Sequence, residues 1–188
     1  SWRRENNDRI NLIADKASYQ PGETAEILVP SPYEPPHYAL VSVERNHILR
    51  HEVIRLESNS AVYRLPIQPE DMPNIYVSVV LVKGSQADGK PADYKVGIVP
   101  LQVSTQAKEL KVAVTAAQAN AEPGSQVDYQ IRVTDVQGKP VRAELSLDLV
   151  DKAVLSLLPR QPDALREAFY ARRGLGIETA AGLAISAN

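Results

Sequence analysis

The residue types that could do chemistry in this sequence are few, and their spacing argues against most of it. His47 and His51 in "HILRH" invite a metal reading, with His37 a third imidazole upstream. On a strand, residues four apart lie about 13 Å from one another, too far to share one ion. On a helix they would be adjacent, but the surrounding "VERNHILRHEVIRL" lies among strand-like runs, so solvated strand positions are expected and no metal site. With no Cys there is neither a thiolate nucleophile nor a disulfide framework. No "GxSxG" turn occurs. Glu70 and Asp71 fall in a Pro-bounded turn where a solvated loop is expected, and "GLGIETAAG" lacks the lysine of a phosphate loop. No catalytic residue, cofactor site or metal ligand is assigned, and the chain is expected not to be an enzyme.

The remaining feature with chemical meaning is the basic doublet Arg172–Arg173 in "EAFYARRGLGIETAAGLAISAN". Proteases bind substrates as extended strands, so a segment without a stable fold that carries Arg among small residues is easily accommodated. The same pair also suits the basic last turn of a helix, favoured by the macrodipole. Pro162 would open such a helix and Gly174 would close it. The two roles are compatible.

The elements that position this doublet read as β-structure. At 188 residues, 44% hydrophobic and 23% charged, the chain suits two small globular domains. A formal charge of −2 without long runs of one sign gives no footprint for nucleic acid or an anionic membrane. No apolar run reaches the roughly 18 residues of a membrane helix, and "SWRRENNDRINL" lacks a signal-peptide core. From Ile10 to Val103 come seven candidate strands: "INLI", "AEILV", "ALVSVE", "HILRHEVIRL", "AVYRLPI", "IYVSVVLV" and "YKVGIVPLQV". Turn signals such as "YQPGET" and "QPEDMPN" separate them, as an all-β sandwich requires. In "IYVSVVLV", Ile75, Val77, Val79 and Leu81 share one face, Val80 and Val82 make part of the other face apolar, so the strand is expected to be central, and a charge is expected to be tolerated far better at Ser78 than at Val79.

Pro21–Gly22 recur as Pro123–Gly124, and the flanking alternations align at the same offset of 102. A second sandwich is therefore expected to begin near Glu109 with strands "LKVAVT", "VDYQIRVT" and "VRAELSLDLV", the last two joined by the turn "DVQGKP". Asp151 is a candidate cap at its end. After Leu158 the strand signal fails. Three or four strands leave edges and a half-covered core, so this second domain is expected to be interrupted. The expected organisation is a complete sandwich over residues 8–106, the first half of another over 107–158, and a short helix with an extended tail over 159–188.

Together "DKASYQPGETAEILVPSPY", "VSVERNHILRHEVIRL", "MPNIYVSVVLV", "AELSLDLVDKAVLSLL" and "FYARRGLGIETAAG" resemble the bacterial branch of the alpha-2-macroglobulin family, in order from Asp15 to about Gly182. The resemblance implies tandem seven-stranded, fibronectin-III/Ig-like macroglobulin domains in a broad-spectrum protease trap. One such domain is interrupted by a bait region, whose cleavage triggers capture of the protease. The break at Leu158 would fall where the bait region begins, making Arg172, Arg173, Gly174 and Leu175 cleavage candidates. It further implies endopeptidases as trapped targets, other macroglobulin domains of a longer parent as neighbours, and a periplasmic or cell-surface location, often through a lipid anchor on the parent. The Cys-x-Glu-Gln thioester motif of many members, carried in a different domain, is absent here. The competing expectation is an Ig-like adhesion or stalk module, and a third is the accessory β-domain of a hydrolase.

Overall fold

The computed structural model describes residues 8–84, 92–122, 124–150 and 164–177. The chain divides into two compact units, Ser1–Ser104 with Tyr170–Asn188, and Thr105–Phe169.

In the first unit lie β1 (Ile13–Ala14), β2 (Ser18–Tyr19), β3 (Thr24–Pro30), β4 (His37–Arg45), β5 (His47–Leu56), β6 (Ser60–Pro66), β7 (Asn74–Lys83) and β8 (Asp93–Val103). They form a three-stranded sheet, β1-β3-β6, and a five-stranded sheet, β2-β8-β7-β4-β5. All pairings are antiparallel except that of β2 with β8. Each of the seven expected runs carries a strand, and β2 is the addition. Alternation decides which side chains face inward: Ala25, Ile27 and Val29 from β3 meet Val41 and Val43 from β4 and Ile75, Val77, Val79 and Leu81 from β7 in one core. Burying each such aliphatic side chain contributes roughly 1.5–3 kcal/mol, which favours closing the two sheets on one another. Strand β7 is central, flanked by β4 and β8.

Three polar residues depart from expectation. Ser78, expected to tolerate a charge, is buried, as are Ser42 opposite it and Glu44 two residues along. That part of the outer face is covered, so period-2 alternation alone misplaces it. Asp71, expected in a solvated turn, is fully buried, whereas Glu70 is exposed. The 3-10 turn Pro69–Asp71 folds the carboxylate back onto β5, where it accepts both Arg50 guanidinium nitrogens at 2.8 Å and the Gln68 N–H at 2.8 Å. His47 and His51 are exposed on β5. His37 is buried, edge-on to Tyr33 with ring centroids 5.9 Å apart.

The second unit holds β9 (Lys111–Ala116) and β10 (Tyr129–Thr134), an antiparallel pair with mostly exposed side chains. The repeat extends to pairing register. Ile13↔Leu28 and Ala14↔Ile27 in β1 and β3 become Thr115↔Gln130 and Ala116↔Tyr129 at the offset of 102. Gly22 and Gly124 both take positive φ, 92° and 85°, as the two turns require. The turn after β10 also forms: Gly138 donates to the Asp135 carbonyl at 3.0 Å, and the Asp135 carboxylate accepts the N–H groups of Gln137 and Lys139.

The strand expected over 141–150 does not form. Val141 makes one bond to Val133 at 3.1 Å, and beyond it Leu145, Leu147 and Leu149 are exposed. Among the described residues the edge of β10 pairs only with Pro140 and Val141, and the exposed β9-β10 pair supplies no apolar floor for a third strand to cover. Helix α1 (Ala164–Tyr170) ends before Arg172 and Arg173, so the pair is not its last turn. Pro162 and Asp151 lie outside the described residues. Within the second unit Arg166 pairs with Glu109 at 2.6 Å.

Candidate functional site

Residues 171–177, which carry the sequence's candidates, follow α1 without helix or strand and belong to the first unit. Their seat is built from the end of that sandwich. Arg45, the last residue of β4, donates to the carbonyls of Met72 at 2.6 Å, Glu70 at 3.0 Å, and Asp71 and Asn74 at 3.3 Å each. One guanidinium thereby fixes the turn leading into β7. Burial pulls Arg45 below its ordinary range, the nearby positive charge of Arg173 pulls it further, and Asp71 opposes both.

Asn74, the first residue of β7, is buried and turns its amide to Arg173. Its Nδ2 donates to the Arg173 carbonyl at 2.9 Å, and its Oδ1 accepts the Arg173 N–H at 2.8 Å. An amide that offers donor and acceptor to one residue's C=O and N–H presents what a neighbouring strand's backbone would present. The Tyr76 hydroxyl, two residues along β7, donates to the same carbonyl at 3.2 Å.

A second anchor lies at the β4–β5 turn. Asn46 is the single residue between these strands and has φ of 60°, a left-handed conformation that Asn tolerates better than most residues. Its N–H donates to the Leu175 carbonyl at 2.8 Å. Gly176 has φ of 63°, and a Cβ there would fall 2.8 Å from the Asn46 Oδ1 and 3.1 Å from its Cα. Glycine is thus required at 176 for conformation and for space. Half-buried Leu175 and Ile177 line a groove of about 650 Å³ together with Ile10, Tyr94, Val96 and Ile98.

Arg172, Arg173 and Gly174 are exposed, while Leu175 is drawn against the sandwich. The site therefore shows its arginine side chains to solvent and holds the backbone of one of them. Sequence reasoning did not pick out Asn46, Asn74, Tyr76 or Gly176. The available signals were a lone Asn between two strand-like runs, and an Asn opening an otherwise apolar strand. Among the described residues no group of three His, Asp or Glu side chains could hold a metal ion.

An alpha-2-macroglobulin homolog of Nostoc sp. is 30% identical over 182 residues, covering 92% of this chain and 9% of that protein. The alpha-2-macroglobulin of Ralstonia nicotianae is 29% identical over 180 residues, covering 90% of this chain and 11% of that protein. The chain thus spans about a tenth of the length of these relatives. The solved native conformation of E. coli alpha-2-macroglobulin aligns with 96% of this chain and 12% of its own, at 20% identity and a TM-score of 0.48. Residues 10–157, which hold the sandwich and the repeated half-sheet, match the alpha-2-macroglobulin bait region domain. On that match the chain belongs to the alpha-2-macroglobulin family and carries its bait region domain.

Proposed function

We propose that this chain is the bait-region portion of a broad-spectrum protease-trapping inhibitor: a scaffold for a segment that endopeptidases cut, itself without catalysis. Arg172, Arg173, Gly174 and Leu175 are the cleavage candidates. The observation that carries this reading is a pair of solvent-facing arginines on a run outside any sheet or helix, in a chain of the bait-domain family. An Arg side chain that reaches solvent is available to a trypsin-like specificity pocket.

On this reading the partners are endopeptidases and the other macroglobulin domains of a longer parent. Nucleic acid is excluded from the scheme by a formal charge of −2 without basic clustering. The parent would work outside the cytoplasm, in the periplasm or at the cell surface, held there by a lipid anchor of its own. No helix among the described residues is long and apolar enough to cross a membrane.

The test is trapping by the parent protein. Incubated with trypsin and passed over a sizing column, the parent should carry protease activity in its own peak and slow the digestion of large protein substrates. A stalk or adhesion module would leave the protease in its free position and fully active.

A further inference from the structure

A protease takes its substrate as an extended strand and bonds the backbone N–H and C=O groups around the scissile bond. In this chain both backbone groups of Arg173 are already occupied by the buried Asn74 amide, with Tyr76 adding a further bond to the carbonyl. We propose that the end of the first sandwich is an intramolecular peptide site whose ligand is the chain's own 173–177 run, and that its occupancy withholds the bonds flanking Arg173 from trypsin-like proteases. The proposal deepens the reading of Arg172–Leu175 as a cleavage segment and rests on it.

The site reads backbone. Its four hydrogen bonds go to main-chain atoms of Arg173 and Leu175, and none goes to the arginine side chains. The guanidinium groups therefore stay displayed while the peptide bonds beside them do not. Gly176 and the apolar pair Leu175 and Ile177 supply selectivity, because only a residue without Cβ fits against Asn46. The ligand class is a short peptide of the pattern x-x-apolar-Gly-apolar, since Gly176 alone of the two glycines is held to its type by its surroundings. Asn74 makes the hold cooperative, since lifting Arg173 strips two partners at once from a buried amide. Arg45 acts against it, as a second positive charge close to Arg173. Cutting thus requires the run to lift off first, and the lifted fraction sets the rate when closing outpaces cleavage.

The test measures trypsin cleavage after Arg172 and Arg173 by mass spectrometry in the full 188-residue chain, in Gly176→Val and Tyr76→Phe, and in a free peptide of residues 168–180. Gly176 lies outside every strand, so its replacement disturbs the seat and spares the core; circular dichroism checks this. Tyr76→Phe removes a single hydroxyl bond. Each hydrogen bond lost raises the open population by roughly two- to ten-fold, about five-fold at the central value. The unaltered chain should therefore be cut at this pair far more slowly than the peptide, Tyr76→Phe about five-fold faster than the unaltered chain, and Gly176→Val at least about ten-fold faster. Equal and rapid cutting in all four overturns the peptide site and leaves Arg172 and Arg173 as cleavage candidates. Slow cutting in Gly176→Val and the unaltered chain alike, with the peptide cut rapidly, overturns both.

Discussion

Buried polar side chains divide this protein into groups that are satisfied and groups that are not. Asp71 takes three hydrogen bonds from Arg50 and Gln68, and Asn74 takes its partners from Arg173. His37 is the contrast, with both ring nitrogens buried and no hydrogen bond of good geometry, only a weaker interaction with the Glu34 backbone that opposes the effect of burial on its protonation. Burial holds its imidazole below the ordinary value of 6.5. The unfolded chain therefore binds this proton more readily than the folded one. The stability His37 permits is fully present above pH 6.5 and is lost as pH falls below it towards the folded value. In His37→Phe, which keeps an aromatic ring beside Tyr33, urea midpoints between about pH 7 and 5 should fall less steeply than in the unaltered protein. Parallel pH profiles for the two proteins would contradict the assignment.

At the scale of elements, β7 carries the most weight, because its inward side chains Ile75, Val77, Val79 and Leu81 are fully buried. Replacing Val79 by Asp places an unpaired carboxylate in the core and should cost at least about 3 kcal/mol by urea denaturation. Ser78→Asp should also be costly, since that covered position faces Ser42 and lies near Glu44. Val62→Asp, half exposed on β6, should cost under about 1 kcal/mol. A mild effect at Ser78 would mean that the outer face is open there.

The same strand shows what was legible in the sequence. Its core face follows from period 2, which is local. The burial of Ser78 depends on what covers the sheet, which is not. The repeat at offset 102 was legible because a Pro-Gly turn and its flanking alternations are local signals; the shared register of β1–β3 and β9–β10 emerged only in the structure. The strand over 141–150 was misjudged because its pattern is sound while, among the described residues, the pair beside it leaves its apolar side chains exposed. The seat for Arg173 was illegible because Asn74 and Arg173 are 99 residues apart and meet through backbone atoms, which leave no compositional trace.

At the scale of the whole chain, stability is unevenly distributed. The core lies within residues 12–103, closed by two sheets. The second unit has, among its described residues, one two-stranded pair with its apolar side chains largely exposed and a short helix. An isolated two-stranded pair is marginal in water, whereas cutting inside the sandwich demands opening of a packed sheet. Protease sensitivity is therefore expected first within residues 105–169, and resistance in the sandwich before them. The direct measurement is brief exposure of the chain to dilute trypsin, chymotrypsin and elastase, with mass spectrometry of the earliest products. In every case the first cuts should fall within residues 105–169, leaving a fragment that contains residues 10–103 and keeps its β-sheet circular dichroism. First cuts inside residues 10–103 would contradict the account.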